Sequence, residues 1–318
     1  SEVYFDEFLK ENPEPIQPVG LTHQNLKEKS QRLKDLYETE EQVSKEDIKE
    51  GLKQLEDTSF VHLHNHTQFS ILQSTTSIQD LINKAAEYNM PALAITDIGN
   101  MMGAFHFEKY ISQHNKKIRE QRKEAEAKGE SFYKKEIIPI IGCEFSICED
   151  HTNKTVKDNG DNVVFLAKNK KGYHNISKLA SIAFTEGKYY VPRIDKKLVE
   201  QYKEGIIVLS GNLAGEIPNK ILNVGEKQAE EALIWWKEQF GDDFYLEIMR
   251  HGQEDENRVN EVLLRFAKEH NVKIVATNNT YYVNKEDAPL HDILLCIKDN
   301  NLVETPIGRG REFRFGFP

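Results

Sequence analysis

The sequence has few cysteines, and their spacing excludes a disulfide framework. Its 318 residues include only Cys143, Cys148 and Cys296, and no CxxC pair occurs. Small secreted proteins that depend on disulfides carry many cysteines at regular spacings. We therefore expect three reduced thiols in an intracellular protein.

Long apolar runs are also missing. No stretch approaches the roughly 20 apolar residues that a membrane-spanning helix needs, and the first residues show no signal-peptide pattern. We expect a cytoplasmic protein without membrane contact. The chain begins at Ser1 rather than at a methionine, which we interpret as an excised part of something longer.

Several catalytic motifs are missing, and basic residues are fewer than acidic ones. The sequence contains no GxGxxG, no GxxxxGK[ST] and no GxSxG, so dinucleotide-binding, P-loop and α/β-hydrolase interpretations have no support. Acidic residues exceed basic ones, 52 against 42, which gives a formal net charge of −10. This balance excludes a general nucleic-acid-coating surface but permits a local basic patch.

What the sequence does contain is a regular alternation of strand-like and helix-like segments after residue 57. Residues 1–57 are charge-dense and predict a helical lead-in or linker. Strands are predicted at 60–65, 92–96, 137–147, 162–167, 206–210, 244–249 and 273–277, with amphipathic helices between them. Seven strand-then-helix units predict an α/β fold with a parallel sheet and right-handed crossovers, and such units commonly close into a barrel.

Histidines mark the first predicted strand. In Phe60-Val-His-Leu-His-Asn-His-Thr-Gln-Phe-Ser70, apolar residues alternate with His62, His64 and His66. Alternate residues of a strand share one face, and a barrel presents metal ligands from the ends of its strands. Glu144, which ends another apolar run, is a further candidate ligand. An edge strand with hydrogen-bonded imidazoles is the alternative interpretation of this pattern.

Further segments, together with the histidine segment, resemble one known family. They are Met90-Pro-Ala-Leu-Ala-Ile-Thr-Asp97, Pro139-Ile-Ile-Gly-Cys-Glu-Phe145, Phe165-Leu-Ala-Lys-Asn169, Gly172-Tyr173, Ile207-Val-Leu-Ser-Gly211, Gly215-Glu-Ile-Pro218 and Val275-Ala-Thr-Asn278. Together these segments resemble the PHP (polymerase and histidinol phosphatase) domain that opens the α subunit of bacterial DNA polymerase III. The resemblance implies a distorted seven-stranded (βα) TIM-like barrel at residues 58–300. Residues 301–318 would then begin the connection to a following polymerase region.

The resemblance also implies a site at the barrel mouth. Relatives that contain metal hold three ions there through about nine ligands, and such clusters hydrolyse phosphoesters. Three ligand positions match: His64, His66 and Glu144. The other positions depart from the family pattern, and the residues found there are Gln73, Ile98, Asn162, Asn212, Asn279 and Tyr281.

These departures share one chemical consequence. Amides are weak neutral ligands, isoleucine has no donor atom, and a tyrosine phenol must lose its proton to bind a metal. We therefore predict a vestigial, empty site that needs no cofactor, with weak binding of Zn²⁺ or Mn²⁺ as the alternative. Neutral amides would also relieve the repulsion among unpaired charges at this mouth.

Three functions remain open at this point. The first is a non-catalytic PHP domain that stabilises a replicative polymerase, a DNA-directed nucleotidyltransferase, and offers a docking surface to a proofreading exonuclease. The second is a residual metal-dependent phosphoesterase or 3′–5′ exonuclease that uses His64, His66 and Glu144. The third is an unrelated hydrolase barrel such as an amidohydrolase. DNA contact is expected to be weak and local, through Lys116–Lys135 and the arginines near the end of the chain.

Overall fold

The computed structural model describes residues 60–307 and Arg314. The predicted lead-in at 1–57 lies outside the described residues. Within them, the strands are β1 Ala92–Ile95, β2 Ile138–Cys148, β3 Asp161–Ala167, β4 Arg193–Asp195, β5 Ile206–Leu209, β6 Phe244–Ile248 and β7 Lys273–Ala276. The α-helices are α1 Ile78–Glu87, α2 Ala104–Lys128, α3 Lys170–Thr185, α4 Lys196–Tyr202, α5 Glu216–Asn223, α6 Glu226–Phe240, α7 Glu254–His270 and α8 Ala288–Asp299.

The seven strands form one curled sheet in the order β1-β2-β3-β5-β6-β7, with β4 paired to β2. Strand β1 is parallel to β2, and β5, β6 and β7 are parallel to one another. Strand β3 runs antiparallel to both β2 and β5. The prediction of an all-parallel sheet is therefore wrong at β3, whereas the distorted seven-stranded, TIM-like class is confirmed.

The histidine-rich segment joins the two ends of this sheet without forming a regular strand. Ala94 of β1 donates its backbone N–H to the carbonyl of His62 at 3.0 Å. On the other side, the backbone N–H of His66 donates to the carbonyl of Thr280 at 2.9 Å. The predicted strand at 60–65 is thus wrong as a regular element, because only an isolated bridge between Asn65 and Thr280 is formed.

Local sequence explains where the helices begin. The side chain of Ser77 accepts a hydrogen bond from the backbone N–H of Asp80 and caps α1. Asp195 caps α4 in the same way through the N–H of Leu198. Helices α5 and α8 and the three-residue strand β4 were not predicted from the sequence. None of the helices in the described part of the chain is long and apolar enough to cross a bilayer.

The main core lies between one face of the sheet and helices α3, α5, α6 and α7. Phe145 and Phe165 on neighbouring strands pack with Trp236 of α6, and all three side chains are buried. A smaller cluster under α1 and α2 covers β1. Close packing requires glycine at position 172, because a Cβ there would lie 1.7 Å from the carbonyl oxygen of Gly205. This packing leaves the barrel mouth as the place where buried polar side chains collect.

Candidate functional site

Three of the predicted ligands meet at the mouth. His64, His66 and Glu144 are fully buried, and their ligating atoms all lie within 4.8 Å of one another. Nε2 of His64 lies 2.7 Å from Oε2 of Glu144. Nε2 of His66 is 3.4 Å from the same oxygen. The structure therefore brings together the histidine segment and the middle of β2, as the sequence predicted.

A second carboxylate, which the sequence analysis missed, completes this group. Glu247 of β6 is 2% exposed, and its Oε1 lies 2.7 Å from Nδ1 of His64. The Thr277 hydroxyl donates to the same oxygen. The backbone N–H of Glu247 donates to Oγ of Ser210 at 2.9 Å. A lone glutamate inside the apolar run Phe244-Tyr-Leu-Glu-Ile248 was the available signal, because a buried charge requires a partner.

His64 therefore lies between two carboxylates and contacts one with each ring nitrogen. Burial lowers the pKa of His64, but the charge of Glu247 and the hydrogen bonds to both carboxylates outweigh burial and raise the pKa to about 10. Burial raises the pKa of Glu144, and its hydrogen bonds with His64 and His66 reverse this and lower the pKa to about 2. An imidazolium flanked by two carboxylates is the consistent protonation state. His64 thus supplies positive charge to the mouth.

An aromatic stack lies beside His66. The ring of Tyr281 lies parallel to His66, with centroids 4.2 Å apart and planes 10° apart. Its other neighbour is His291 of α8, at 5.5 Å and 25°. Burial and the charge of Glu144 raise the pKa of the Tyr281 phenol well above its ordinary value, although a hydrogen bond with the Asn279 side chain opposes this shift. The phenol is neutral at physiological pH.

Two other predicted positions act through the backbone. Ile98 forms a parallel bridge with Glu144, and its side chain has no donor atom. Gln73 presents its backbone carbonyl to Nε2 of His291 at 2.8 Å. Asp97, beside Ile98, is 2% exposed and accepts hydrogen bonds from Thr67 and Ser70. Asp97 therefore fixes the turn that follows His66.

Three predicted positions remain. Asn279 follows β7 with a left-handed backbone at φ 47°, and Asn162 and Asn212 lie next to Ala214. The backbone N–H of Asn162, near the start of the reversed strand β3, donates to the carbonyl of Ala214 at 2.8 Å. The side chain of Asn212 accepts from the N–H of Ala214 at 2.8 Å and so closes its own loop. Asn212 and Glu247 line one small cavity. Asn162 and Asn212 thus both contact Ala214, and Asn212 shares a cavity with Glu247.

These residues do not fit a three-ion cluster. His64 as an imidazolium donates both ring N–H groups to carboxylates, so it offers no lone pair to an ion unless it loses a proton and one of those contacts breaks. Tyr281 presents a ring face rather than an oxygen to His66, and Ile98 has nothing to offer. The side-chain oxygen of Asn212 is occupied by the backbone of its own loop. The ligand side chains that meet here are therefore two imidazoles and the carboxylates of Glu144 and Glu247, too few to hold three ions.

Comparison with known proteins gives the family. A family model described as "PHP domain" matches residues 62–251, more than half of the chain. The matched stretch includes His64, His66, Glu144 and Glu247. The chain belongs to the PHP domain family.

The similar curated proteins are replication enzymes. The DNA polymerase III subunit alpha of Borreliella burgdorferi is 41% identical over 244 residues, which are 75% of this chain and 19% of that protein. The subunit alpha of Deinococcus radiodurans is 36% identical over 270 residues, 81% of this chain and 18% of that protein. The subunit alpha of Thermus aquaticus is 37% identical over 254 residues, 78% and 19% respectively. The chain spans about a fifth of the length of these relatives.

Proposed function

We propose that the chain is the PHP domain of a replicative DNA polymerase III alpha subunit and works there without metal and without catalysis. Residues 58–300 would form the domain, 1–57 its lead-in, and 301–318 the start of the connection to the polymerase region. Nucleotide addition would belong to that region, outside the family match. The site of action would be the cytoplasm, where bacterial replication takes place.

The contact between His64 and its two carboxylates carries the metal-free part of this proposal. Each imidazole nitrogen lies 2.7 Å from a carboxylate oxygen of Glu144 or Glu247. In a metal site, an ion would neutralise such carboxylates. Here the side chain of His64 takes that place, and Tyr281 covers His66 with an aromatic ring. The positive charge of His64 would thus offset part of the carboxylate charge at the mouth without an ion.

The role that follows is mechanical. The domain would stabilise the polymerase body and provide a docking surface for a proofreading exonuclease. The rest of the polymerase is the partner that the relatives imply. The fully buried polar network supports a rigid scaffold, because it links the histidine segment, β2, β6 and the chain after β7.

Elemental analysis and a chelator test the metal-free proposal. A metal that binds only the folded state adds about 4 kcal/mol of stability at a thousandfold excess over its Kd. We expect the purified chain to contain less than one ion per molecule and to keep its melting temperature in EDTA. Two or three ions per chain, or a melting temperature several degrees lower in EDTA, would overturn the proposal.

A residual phosphoesterase or 3′–5′ exonuclease is the second candidate. The observation that favours it is the convergence of His64, His66 and Glu144 within 4.8 Å. The test is hydrolysis of a phosphodiester and of single-stranded DNA with added Mn²⁺ or Zn²⁺. Activity that disappears in Glu144→Gln but remains in Glu261→Gln, an exposed control on α7, would establish this function.

DNA contact is proposed to be weak and local. The region Lys116–Lys135 has eight basic and four acidic residues, and α2 occupies most of it. Arg119 and Arg122 both pair with Glu136, which reduces their free charge. Affinity for primer-template DNA should therefore be low and should fall steeply with salt. Tight binding at about 200 mM salt would contradict this expectation.

A further inference from the structure

Helix α8 carries apolar residues on two opposite sides. One side faces the domain through His291, Leu295 and Cys296, which are 2–4% exposed. Leu290 and Ile297 lie two helical turns apart on the other side of the helix. Their side chains are 59% and 63% exposed. A helix with apolar residues on opposite sides is usually buried on both. In the described structure, α8 is covered on one side.

Exposed apolar residues also occur in the chain after the helix. Ile293 lies between Leu290 and Ile297 on the same stripe and is 43% exposed. Three further large apolar side chains follow the helix, and each is at least 46% exposed. We call the set the C-terminal apolar surface: Leu290, Ile293, Ile297, Leu302, Val303 and Ile307. Contiguous exposed apolar surface marks an interaction site more often than scattered residues do.

The end of the chain is tied to this helix. The guanidinium of Arg314 makes two hydrogen bonds to the carboxylate of Asp292, at 2.5 and 2.8 Å, and is 5% exposed. It also donates to the carbonyls of Thr305 and Val303. These contacts hold the segment after α8 beside the C-terminal apolar surface.

We infer that the next part of the polymerase polypeptide packs against the C-terminal apolar surface. An apolar face of that part would cover the exposed side chains. The inference rests on the proposed function, because the occupant is a polymerase region joined to this chain. It is supported by the length of the relatives: 244 matched residues make up 19% of the Borreliella burgdorferi subunit, so about four fifths of that protein lies outside the match. A covalently attached neighbour is also present at high effective concentration.

The test compares this 318-residue chain with the natural full-length polypeptide by hydrogen exchange. The test variant is Leu290→Ser with Ile293→Ser and Ile297→Ser. The matched control is Val224→Ser with Ile234→Ser and Leu264→Ser, three exposed apolar residues near or on other helices. Analytical ultracentrifugation and primer extension accompany each measurement.

The expected result has two parts. In the full-length polypeptide, the amides of α8 should exchange at least about tenfold more slowly than in the 318-residue chain. The test variant should abolish that difference, whereas the control should keep it. In the 318-residue chain, the test variant should lower the melting temperature no more than the control does, because each variant replaces three exposed apolar side chains with serine.

Three results would overturn the inference. The first is equal α8 exchange in the two wild-type polypeptides. The second is a melting temperature of the test variant, within the 318-residue chain, several degrees below that of the control, which would mean that a segment of this chain already covers the surface. The third is a dimer that the test variant dissolves, which would identify a second copy as the occupant. Protection of α8 in a full-length polypeptide that cannot extend a primer would instead refute the polymerase proposal and leave the surface intact.

Discussion

The ring of Tyr281 stacks on the imidazole of His66 where the last strand of the barrel meets its first segment. The ring centroids are 4.2 Å apart. Thr280, the neighbour of Tyr281, exchanges backbone hydrogen bonds with His64 and His66 at 3.1 and 2.9 Å. The stack is therefore the side-chain part of the seam that closes the barrel. The stack helps to hold residues 62–66 against the chain after β7.

Removing the Tyr281 ring should weaken this seam. Tyr281→Ala would leave a cavity between His66 and His291, and we expect a loss of about 3 kcal/mol in the free energy of unfolding, as for other buried aromatic residues. Tyr281→Phe keeps the stacked ring and should cost less. Urea denaturation of both variants measures the difference. Equal losses would mean that the hydroxyl, and not the ring, stabilises the seam.

Glu247 should be essential for stability although it contacts no solvent. Glu247→Leu removes one carboxylate from His64 and leaves the imidazole buried with a single partner. Breaking a buried ion pair on one side costs about 3–5 kcal/mol. Glu247→Gln should cost less, because its amide oxygen still accepts hydrogen bonds from His64 and Thr277. The exposed Glu261→Gln is the control, and a neutral result for Glu247→Leu would refute the network.

Stability in acid should depend on Glu216 of α5. Burial raises the pKa of Glu216, but the charge of Lys196 and the hydrogen bonds from Lys196 and Trp236 outweigh it and lower the pKa below the usual 4.5. A lowered pKa means that the stabilisation is present above pH 4.5 and is lost as the pH falls through the lower, folded-state value. Glu216→Gln should therefore be less stable than wild type at pH 7, and the difference should shrink in acid. The measurement is urea denaturation from pH 7 to pH 3.

The exposed Glu231→Gln on α6 serves as the control for that series. Its curve should follow the wild type at every pH. If the Glu216→Gln curve runs parallel to the wild-type curve down to pH 3, the carboxylate does not contribute through its ionised form.

Arg193 should hold the loop between β2 and β3. Its guanidinium is fully buried and donates to the carbonyls of Gly187, Asp158 and Asn153 at 2.8–3.0 Å. Lysine keeps the charge but cannot reach several carbonyls in this planar arrangement. Arg193→Lys should therefore accelerate amide exchange within 151–158, whereas the exposed Arg258→Lys should not. Unchanged exchange in Arg193→Lys would show that the loop is held by other contacts.

The sequence predicted the core of the site because its signals are local. His64 and His66 stand in an apolar segment, and Glu144 interrupts an apolar strand, so each indicates a buried polar contact. Glu247 shows the same signal in β6, but a single carboxylate does not reveal its partner. The contact with His64 depends on how the sheet curls, which no local pattern encodes.

The direction of β3 could not be predicted from the alternation of apolar residues either. Alternation of apolar residues is the same in parallel and antiparallel strands. The available signal was the connection Glu149–Gly160, which is polar and lacks a helix, whereas parallel neighbours usually need a helical crossover. Strand β4 was missed because Arg193–Asp195 has a single apolar residue between two charged ones. Helix α8 was missed because apolar residues on two sides blur its period.

The reversed strand has a consequence for how the chain folds. Strands β2 and β3 are adjacent in sequence and pair over six positions, from Gly142–Leu166 to Ile147–Asp161. Two strands that are close in sequence lose little chain entropy when they pair. Parallel strands are separated by a crossover segment, so their pairing costs more chain entropy. We expect this hairpin to be the earliest part of the sheet to acquire exchange protection during refolding. The barrel would then grow outward from its centre and close last at His66 and Tyr281.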